Sequence, residues 1–194
     1  MASHPDWCRI RRGASPIVLV APHGGRRSSD DLRLPNGKRL KINDLHTAEL
    51  AAELAERLDA SLLANCELDR NELDLNRISA IARSAPWFLA ELAALVSAAL
   101  ERHPTVEILV IHGWHVVQPK CDVGVGVSLG AEAEGESAAE RLTVSPAYLR
   151  SRLGALRARL EARGIEVAYG ERFPASHPEN LLHLRRTDMR LLAK

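Results

Sequence analysis

Two apolar runs of strand length in this chain each end in a histidine followed by glycine. Residues 16–21 lead into Pro22-His23-Gly24-Gly25, and residues 106–111, apolar apart from Glu107, lead into His112-Gly113. Runs of this kind are typical of strands buried on both faces of a sheet that helices cover. We therefore expect both histidines at the carboxyl ends of core strands, where open α/β sheets bind ligands.

Helical patterns alternate with the strand patterns. Asn43 or Asp44 is expected to cap a first helix, Pro86 to begin a second, and Ser145-Pro146 to begin a third that ends before Gly164. The apolar stripe of the first helix comprises Leu45, Ala48, Ala52, Ala55 and either Leu58 or Leu62. Such alternation predicts an α/β sandwich with a parallel or mixed sheet.

Further strands are predicted at residues 62–68 and 165–169, while residues 1–14 read as a solvated lead-in. Residues 122–129 alternate valine with glycine and serine. Glycine in a strand favours the close approach of another segment, so we expect one to pack there.

The composition limits the classes of protein to which this chain can belong. The 194 residues are 46% hydrophobic and 26% charged, with a net charge of +1. We expect one domain spanning residues 1–194, with no general attraction to nucleic acid or to an anionic membrane. The three cysteines form no C-x-x-C pair, and neither a signal peptide nor a membrane-length apolar run is evident, which favours a cytoplasmic location.

The two strand-end histidines suggest a metal centre. Two imidazoles and a carboxylate, with one position left open, make up a catalytic zinc site. The candidate carboxylates are Asp44, Asp30, Asp31 and Glu49. His46 and Glu49 also share one helical face, although nothing directs that pair to the sheet edge. His115 is either a group beside the substrate or an ordinary exposed histidine.

A charged run follows the strand predicted at residues 62–68. Arg70 and Arg77 could grip a substrate carboxylate with two hydrogen bonds each, and Asn76 could add a donor. Asp74 would then orient one of the arginines. An exposed network of ion pairs is the alternative interpretation of the same residues.

These elements together resemble the N-formylglutamate amidohydrolase family, whose members are zinc-dependent and belong with the carboxypeptidase-like zinc hydrolases. The resemblance spans about residues 16–129. It rests on Pro22-His23-Gly24-Gly25, Asp44-Leu45-His46, Arg70 with Asp74-Leu75-Asn76-Arg77, and His112-Gly113 with Asp122-Val123-Gly124-Val125-Gly126. It implies a three-layer α/β sandwich with a mixed, largely parallel central sheet, of the phosphorylase/hydrolase-like kind.

The resemblance also assigns roles. It implies that His23, Asp44 and His112 hold Zn²⁺, with Glu49 as the alternative third ligand, and that Arg70, Asn76 and Arg77 recognise the substrate carboxylate. Family members carry a general-base glutamate in a C-terminal apolar strand, but the matching residues 180–185 here place Arg185 there. Glu171 is our candidate for that base, with Glu179 as the alternative.

The sequence therefore predicts a zinc-dependent amidohydrolase that cleaves the C–N amide bond of a small N-acyl amino acid or a γ-glutamyl compound. The alternative is a non-catalytic relative that binds a small carboxylate ligand. A structural α/β domain without a site would require both histidines and the charged run to be coincidental.

Overall fold

The computed structural model describes residues 5–25, 41–114, 117–127 and 142–186. They form two compact units, one made of Met1–Trp114 with Leu184–Lys194 and the other of His115–His183. The predicted single domain remains a prediction. Asp30, Asp31 and His115 lie outside the described residues.

A four-stranded mixed sheet forms the centre of the first unit. Its strands are β1 (Cys8–Arg11), β2 (Ile17–Ala21), β3 (Ser61–Asn65) and β4 (Glu107–Val110), in the spatial order β1-β3-β2-β4. Strands β3, β2 and β4 are parallel, and β1 pairs with β3 in the antiparallel sense. The prediction of a mixed, largely parallel sheet in an α/β fold is confirmed. The prediction that residues 1–14 form a solvated lead-in was wrong in part, because Cys8–Arg11 form β1, which pairs with β3.

Helices cover both faces of this sheet. Helix α1 (Thr47–Leu58) lies on the face that carries Leu19 and Ala21, whose apolar cluster includes Ala51 and Ala55. Helices α2 (Ile78–Ser84) and α3 (Pro86–Leu100) follow β3, and α3 contacts β2 and β3. Because side chains alternate along a strand, Val18 and Val20, also fully buried, belong to the opposite face.

The start of α1 differs from the prediction. Its N-cap is His46, in the left-handed conformation (φ 65°), and neither Asn43 nor Asp44 is the cap residue. The side chains of Asn43 and Asp44 bond instead to residues of the loop after β3. Alanines form the buried stripe of the helix, whereas Leu45 and Leu58 are exposed. Small side chains let the helix lie close to the sheet.

The second unit contains a parallel pair of strands and a helix. Strands β5 (Lys120–Asp122) and β6 (Glu166–Ala168) pair with each other. The helical segment runs through α4 (Pro146–Tyr148), a π-helical turn (Leu149–Leu153) and α5 (Gly154–Glu161). Ser145 caps it by accepting a hydrogen bond from the Tyr148 amide, and Gly164 follows with φ 76°, both as predicted.

The glycine pattern after β5 accommodates a neighbouring loop. The amide of Gly126 donates to the Pro174 carbonyl at 2.7 Å, and a side chain at Gly124 would overlap the Phe173 carbonyl. The predicted close approach is confirmed as far as Val127, but the strand expected there was wrong for residues 123–127, because β5 ends at Asp122. Residues 181–186, where the family comparison led us to expect a short strand, form the 3₁₀ helix Leu181–Arg186 instead.

No single helix among the described residues is long and apolar enough to cross a membrane. Helices α2 and α3 together have a sufficient length and apolar composition, but they are bent by 111° at their junction.

Candidate metal centre

The carboxyl ends of the adjacent strands β2 and β4 place His23 and His112 side by side. Their ring centroids are 4.9 Å apart. Asp44 completes a group that could hold a metal ion, because one ligand atom from each of the three residues lies within 4.8 Å of the others. The same oxygen, Asp44 Oδ2, lies 3.3 Å from His23 Nδ1 and 2.8 Å from His112 Nδ1.

Close packing explains why glycines follow His23. A side chain at Gly24 would meet the Cβ of Ala48 at 2.6 Å, and one at Gly25 would overlap the Leu68 carbonyl. Neither Gly24 nor Gly25 has a positive φ, so these positions require glycine for space rather than for an unusual backbone conformation. Buried Asn65 is the last residue of β3. Its amide nitrogen donates to the carbonyls of Pro22, just after β2, and Leu68, in the loop after β3, and so links the ends of these two strands.

Backbone and side-chain hydrogen bonds hold Asp44 in place. Its amide donates to the His23 carbonyl at 2.9 Å, and its carbonyl accepts from the Thr47 hydroxyl at 2.7 Å. Gly113 lets the end of β4 approach this segment, because a Cβ there would lie 3.2 Å from Thr47 Cγ2, which is closer than an ordinary van der Waals contact. Asp44 thus reaches the two histidines from a segment 21 residues after His23.

Among the described residues, the side chain of Asp74 bonds to a histidine and a lysine and not to an arginine. Its Oδ1 accepts a hydrogen bond from His23 Nε2 at 2.7 Å, and its Oδ2 pairs with Lys41 Nζ at 2.8 Å. Our expectation that Asp74 orients an arginine was wrong, because the histidine and the lysine occupy its two oxygens. A carboxylate bonded to the outer nitrogen of a histidine is the usual support of a metal-ligating imidazole.

This arrangement fits a bound cation. With its proton on Nε2, neutral His23 turns the Nδ1 lone pair toward Asp44 Oδ2, and two electron-rich atoms at 3.3 Å need a proton or a metal between them. Zinc ligands at about 2.0–2.2 Å would leave their donor atoms about 3–3.5 Å apart. The donor set of two imidazoles and one carboxylate is also one that zinc prefers.

His112 is held differently. Its Nδ1 donates to Asp44 Oδ2, and the Asn76 side-chain amide lies 3.2 Å from its Nε2. A metal at Nδ1 requires the ring proton on Nε2, which a rotated Asn76 amide can accept through its oxygen. Asn76 therefore lies beside the candidate metal ligands, as its place in the charged run predicted.

The electrostatics favour charged carboxylates and a neutral His112 ring. Burial alone would raise the pKa of Asp44, but its contacts with His112 and His23 outweigh burial and hold that pKa well below its usual range. Burial also opposes ionisation of Asp74, yet its bonds to His23 and Lys41 keep its pKa low. Although the His112 side chain is 38% exposed, desolvation is the main cause that lowers its pKa, and Asp44 opposes that change.

Arg70 lies in the same cluster. Its Nη1 donates to Asp44 Oδ1 at 3.0 Å and to the Ile42 carbonyl at 3.1 Å, while its buried Nε finds no hydrogen-bond partner in the part of the chain that the structure describes. Arg77, the N-cap residue of α2, donates from Nη1 to the Asn76 carbonyl at 3.1 Å. The alternative of an exposed ion-pair network does not describe Arg70, because its side chain is only 20% exposed.

The other predicted residues lie elsewhere. Glu49, in the first turn of α1, is exposed and is not a member of the three-residue group, and neither is His46. Glu171 belongs to the second unit, where its carboxylate pairs with Lys120 Nζ at 2.9 Å. Sequence reasoning missed Lys41, whose only signal was its position just before Asn43-Asp44.

Comparisons with known proteins agree with the fold. No protein-family model matches this chain, and no match was found among curated proteins. The crystal structure of an N-formylglutamate amidohydrolase from Ralstonia eutropha is similar, with a TM-score of 0.53 and 16% sequence identity over 86% of this chain and 77% of that one. At this identity the similarity shows a shared fold.

Proposed function

We propose that this chain is a zinc-dependent amidohydrolase that cleaves the C–N amide bond of a small N-acyl amino acid such as N-formylglutamate. The observation that carries the proposal is the convergence of His23, Asp44 and His112 at one edge of the sheet. A structural neighbour that is an N-formylglutamate amidohydrolase supports the choice of reaction. N-formylglutamate carries two carboxylates, which suits a site that contains the side chains of Lys41, Arg70 and Arg77.

His23, Asp44 and His112 would hold the zinc. When bound, zinc polarises a carbonyl and makes water acidic enough to ionise near neutral pH. Asp74 keeps the proton of His23 on Nε2, so that Nδ1 is available as a ligand atom. The lowered pKa of His112 favours the neutral ring that ligation requires.

The charged run would bind the substrate's carboxylate. Arg70, Asn76 and Arg77 would supply donors, and arginine is suited to this because its planar guanidinium matches the two oxygens of a carboxylate. The unpartnered Nε of Arg70 supports a role in ligand binding, since a buried donor without an acceptor costs about 1–3 kcal/mol. An acceptor on a bound molecule would offset that cost.

The general base stays a prediction. Glu171 is our candidate, and its carboxylate would have to exchange or share its ion pair with Lys120 in order to take a proton from water. That ion pair favours a second candidate function, a non-catalytic protein that binds a small carboxylate ligand. Under that function the metal and the arginines would serve binding alone.

Two measurements on the purified full chain test the proposal. Metal analysis should find close to one zinc per chain, and N-formylglutamate should be hydrolysed in a manner that a chelator abolishes and zinc restores. Zinc with ligand binding but no hydrolysis would favour the binding protein. A chain that takes up no divalent metal would contradict the amidohydrolase, and a chain that also binds no small carboxylate would contradict the binding protein.

A further inference from the structure

The two oxygens of Asp44 have different partners. Oδ2 faces the Nδ1 atoms of both histidines, whereas Oδ1 accepts a hydrogen bond from Arg70 Nη1 at 3.0 Å. We infer that Arg70 is a positioning residue for the metal ligand Asp44: it holds Oδ1 so that Oδ2 alone is presented to the metal. This inference rests on the proposed function, because it presupposes that the group binds a metal.

Polar contacts, more than packing, hold the segment that carries Asp44. Its flanking residues Ile42 and Leu45 are 67% and 55% exposed, so they contribute little apolar burial. Arg70 contacts this segment with its main chain as well as its side chain, because its amide donates to Asn43 Oδ1 at 3.0 Å. Its Nη1 also donates to the Ile42 carbonyl.

The loop after β3 holds the same segment at a second point. Asn71 accepts a hydrogen bond from the Lys41 amide and donates one to the Lys41 carbonyl, both at 2.7 Å. Asn71 is itself held by Asp69 Oδ1, and Asp69 is fully buried. The Arg70 guanidinium is therefore carried by a well-anchored turn, which a positioning residue needs.

Electrostatics and positioning predict opposite effects. A guanidinium near the site repels a divalent cation, so its charge alone would weaken metal binding, and its removal would strengthen it. If the geometry of Asp44 matters more, removal of Arg70 weakens metal binding instead. Arg70→Lys keeps the charge but cannot reproduce the planar guanidinium, and Arg70→Gln removes the charge.

The test measures the zinc affinity of the full chain by competition with a chromogenic chelator. Arg70→Lys and Arg70→Gln should both bind zinc at least tenfold more weakly than the wild type, the size of effect typical when support of a metal ligand is lost. Arg57→Lys is the matched control and should change the affinity by less than about twofold, because the Arg57 guanidinium pairs with Glu53 on the exposed side of α1.

The outcomes separate the two proposals. Wild-type affinity in Arg70→Lys, or tighter binding in Arg70→Gln, overturns the positioning role and leaves the proposed function standing. A wild type that binds no zinc overturns both. If circular dichroism shows that the Arg70 variants do not fold, the structure of the zinc-loaded wild type decides: an intact Nη1–Oδ1 contact supports the inference, and both Asp44 oxygens on the metal contradict it.

Discussion

Two regions of this protein present carboxylates in opposite ways: the paired segments that carry Asp44 and Asp74, and the loop that carries Glu171. Asp44 and Asp74 are nearly enclosed, bond to imidazoles and have lowered pKa values. Glu171 is 67% exposed at its side chain and pairs with Lys120. Enclosed carboxylates bonded to histidine are suited to hold a metal, whereas an exposed ion pair contributes little to the stability of the fold.

Hydrogen bonds from its backbone amides hold the loop that carries Glu171. Asp122 accepts hydrogen bonds from the amides of Glu171, Arg172 and Phe173 at 2.8–3.1 Å. Asp122 thus fixes the course of the loop, while the Glu171 side chain remains at the surface. The described residues that could hold a metal ion lie at and near the ends of β2 and β4, so Glu171 is the assignment most in need of a test.

Loss of a candidate ligand should have the largest effect. We expect His112→Ala to lower zinc affinity by more than about a hundredfold, because loss of a ligand's supporting contact alone costs about 10–100-fold. Isothermal titration with zinc measures this. His103→Ala is the control, since His103 is an imidazole that bonds to the Ala14 carbonyl, and it should bind zinc like the wild type. Equal affinity of the two variants would contradict the metal centre.

Substitution of Glu171 tests whether the loop that carries it takes part in catalysis. Glu171→Gln should keep zinc content and fold but lower turnover by on the order of a hundredfold, if its carboxylate accepts the proton. Glu166→Gln is a matched control, because Glu166 pairs with the same Lys120 Nζ at 2.8 Å. Equal turnover in the two variants would remove Glu171 from the mechanism.

Asp74→Asn should weaken the support of His23. The amide has a similar shape but no charge, so we expect zinc affinity to fall by about 10–100-fold. The control Asp59→Asn removes an exposed ion pair with Arg11 and should leave zinc affinity unchanged. An unaltered zinc affinity in Asp74→Asn would show that the contact with His23 serves packing only.

Arg77→Lys should weaken the binding of a carboxylate ligand by about tenfold, because lysine cannot form the paired hydrogen bonds of a guanidinium. Binding of the matching uncharged amide should change little. Titration of both ligands into the zinc-loaded protein provides the measurement. Equal losses for the acid and the amide would indicate that Arg77 serves the fold.

Acid should produce the smallest effect. Because the pKa values of Asp44 and Asp74 are lowered, their stabilisation is complete above the unfolded value of about 3.9 and is lost as the pH falls further. The metal-free wild type should therefore lose more unfolding free energy between about pH 5 and pH 2 than Asp74→Asn, by about 1–3 kcal/mol. Urea unfolding measures the difference, and parallel pH profiles would contradict the prediction.

The sequence by itself determined the two strands that end in histidine and the residue types of the site. The apolar runs identify β2 and β4, but only β2 is buried as predicted. The expectation that β4 is buried on both faces was wrong, because β4 is the last strand in the sheet order and Ile108 is 37% exposed. Adjacent parallel strands end at the same edge, so the pairing of His23 with His112 could be anticipated. The turn signals Ser145-Pro146 and Gly164 likewise placed the third helix correctly.

Only the tertiary structure decided which polar groups meet. Asp44 is separated from His23 by 21 residues and from His112 by 68, and no local pattern distinguishes it from Glu49. The partners of Asp74 and Arg70 were also hidden, because side-chain hydrogen bonds between distant segments depend on packing rather than on spacing along the chain. Here that packing turns Asn43 and Asp44 away from the helix terminus, which their residue types favour, and toward the loop after β3.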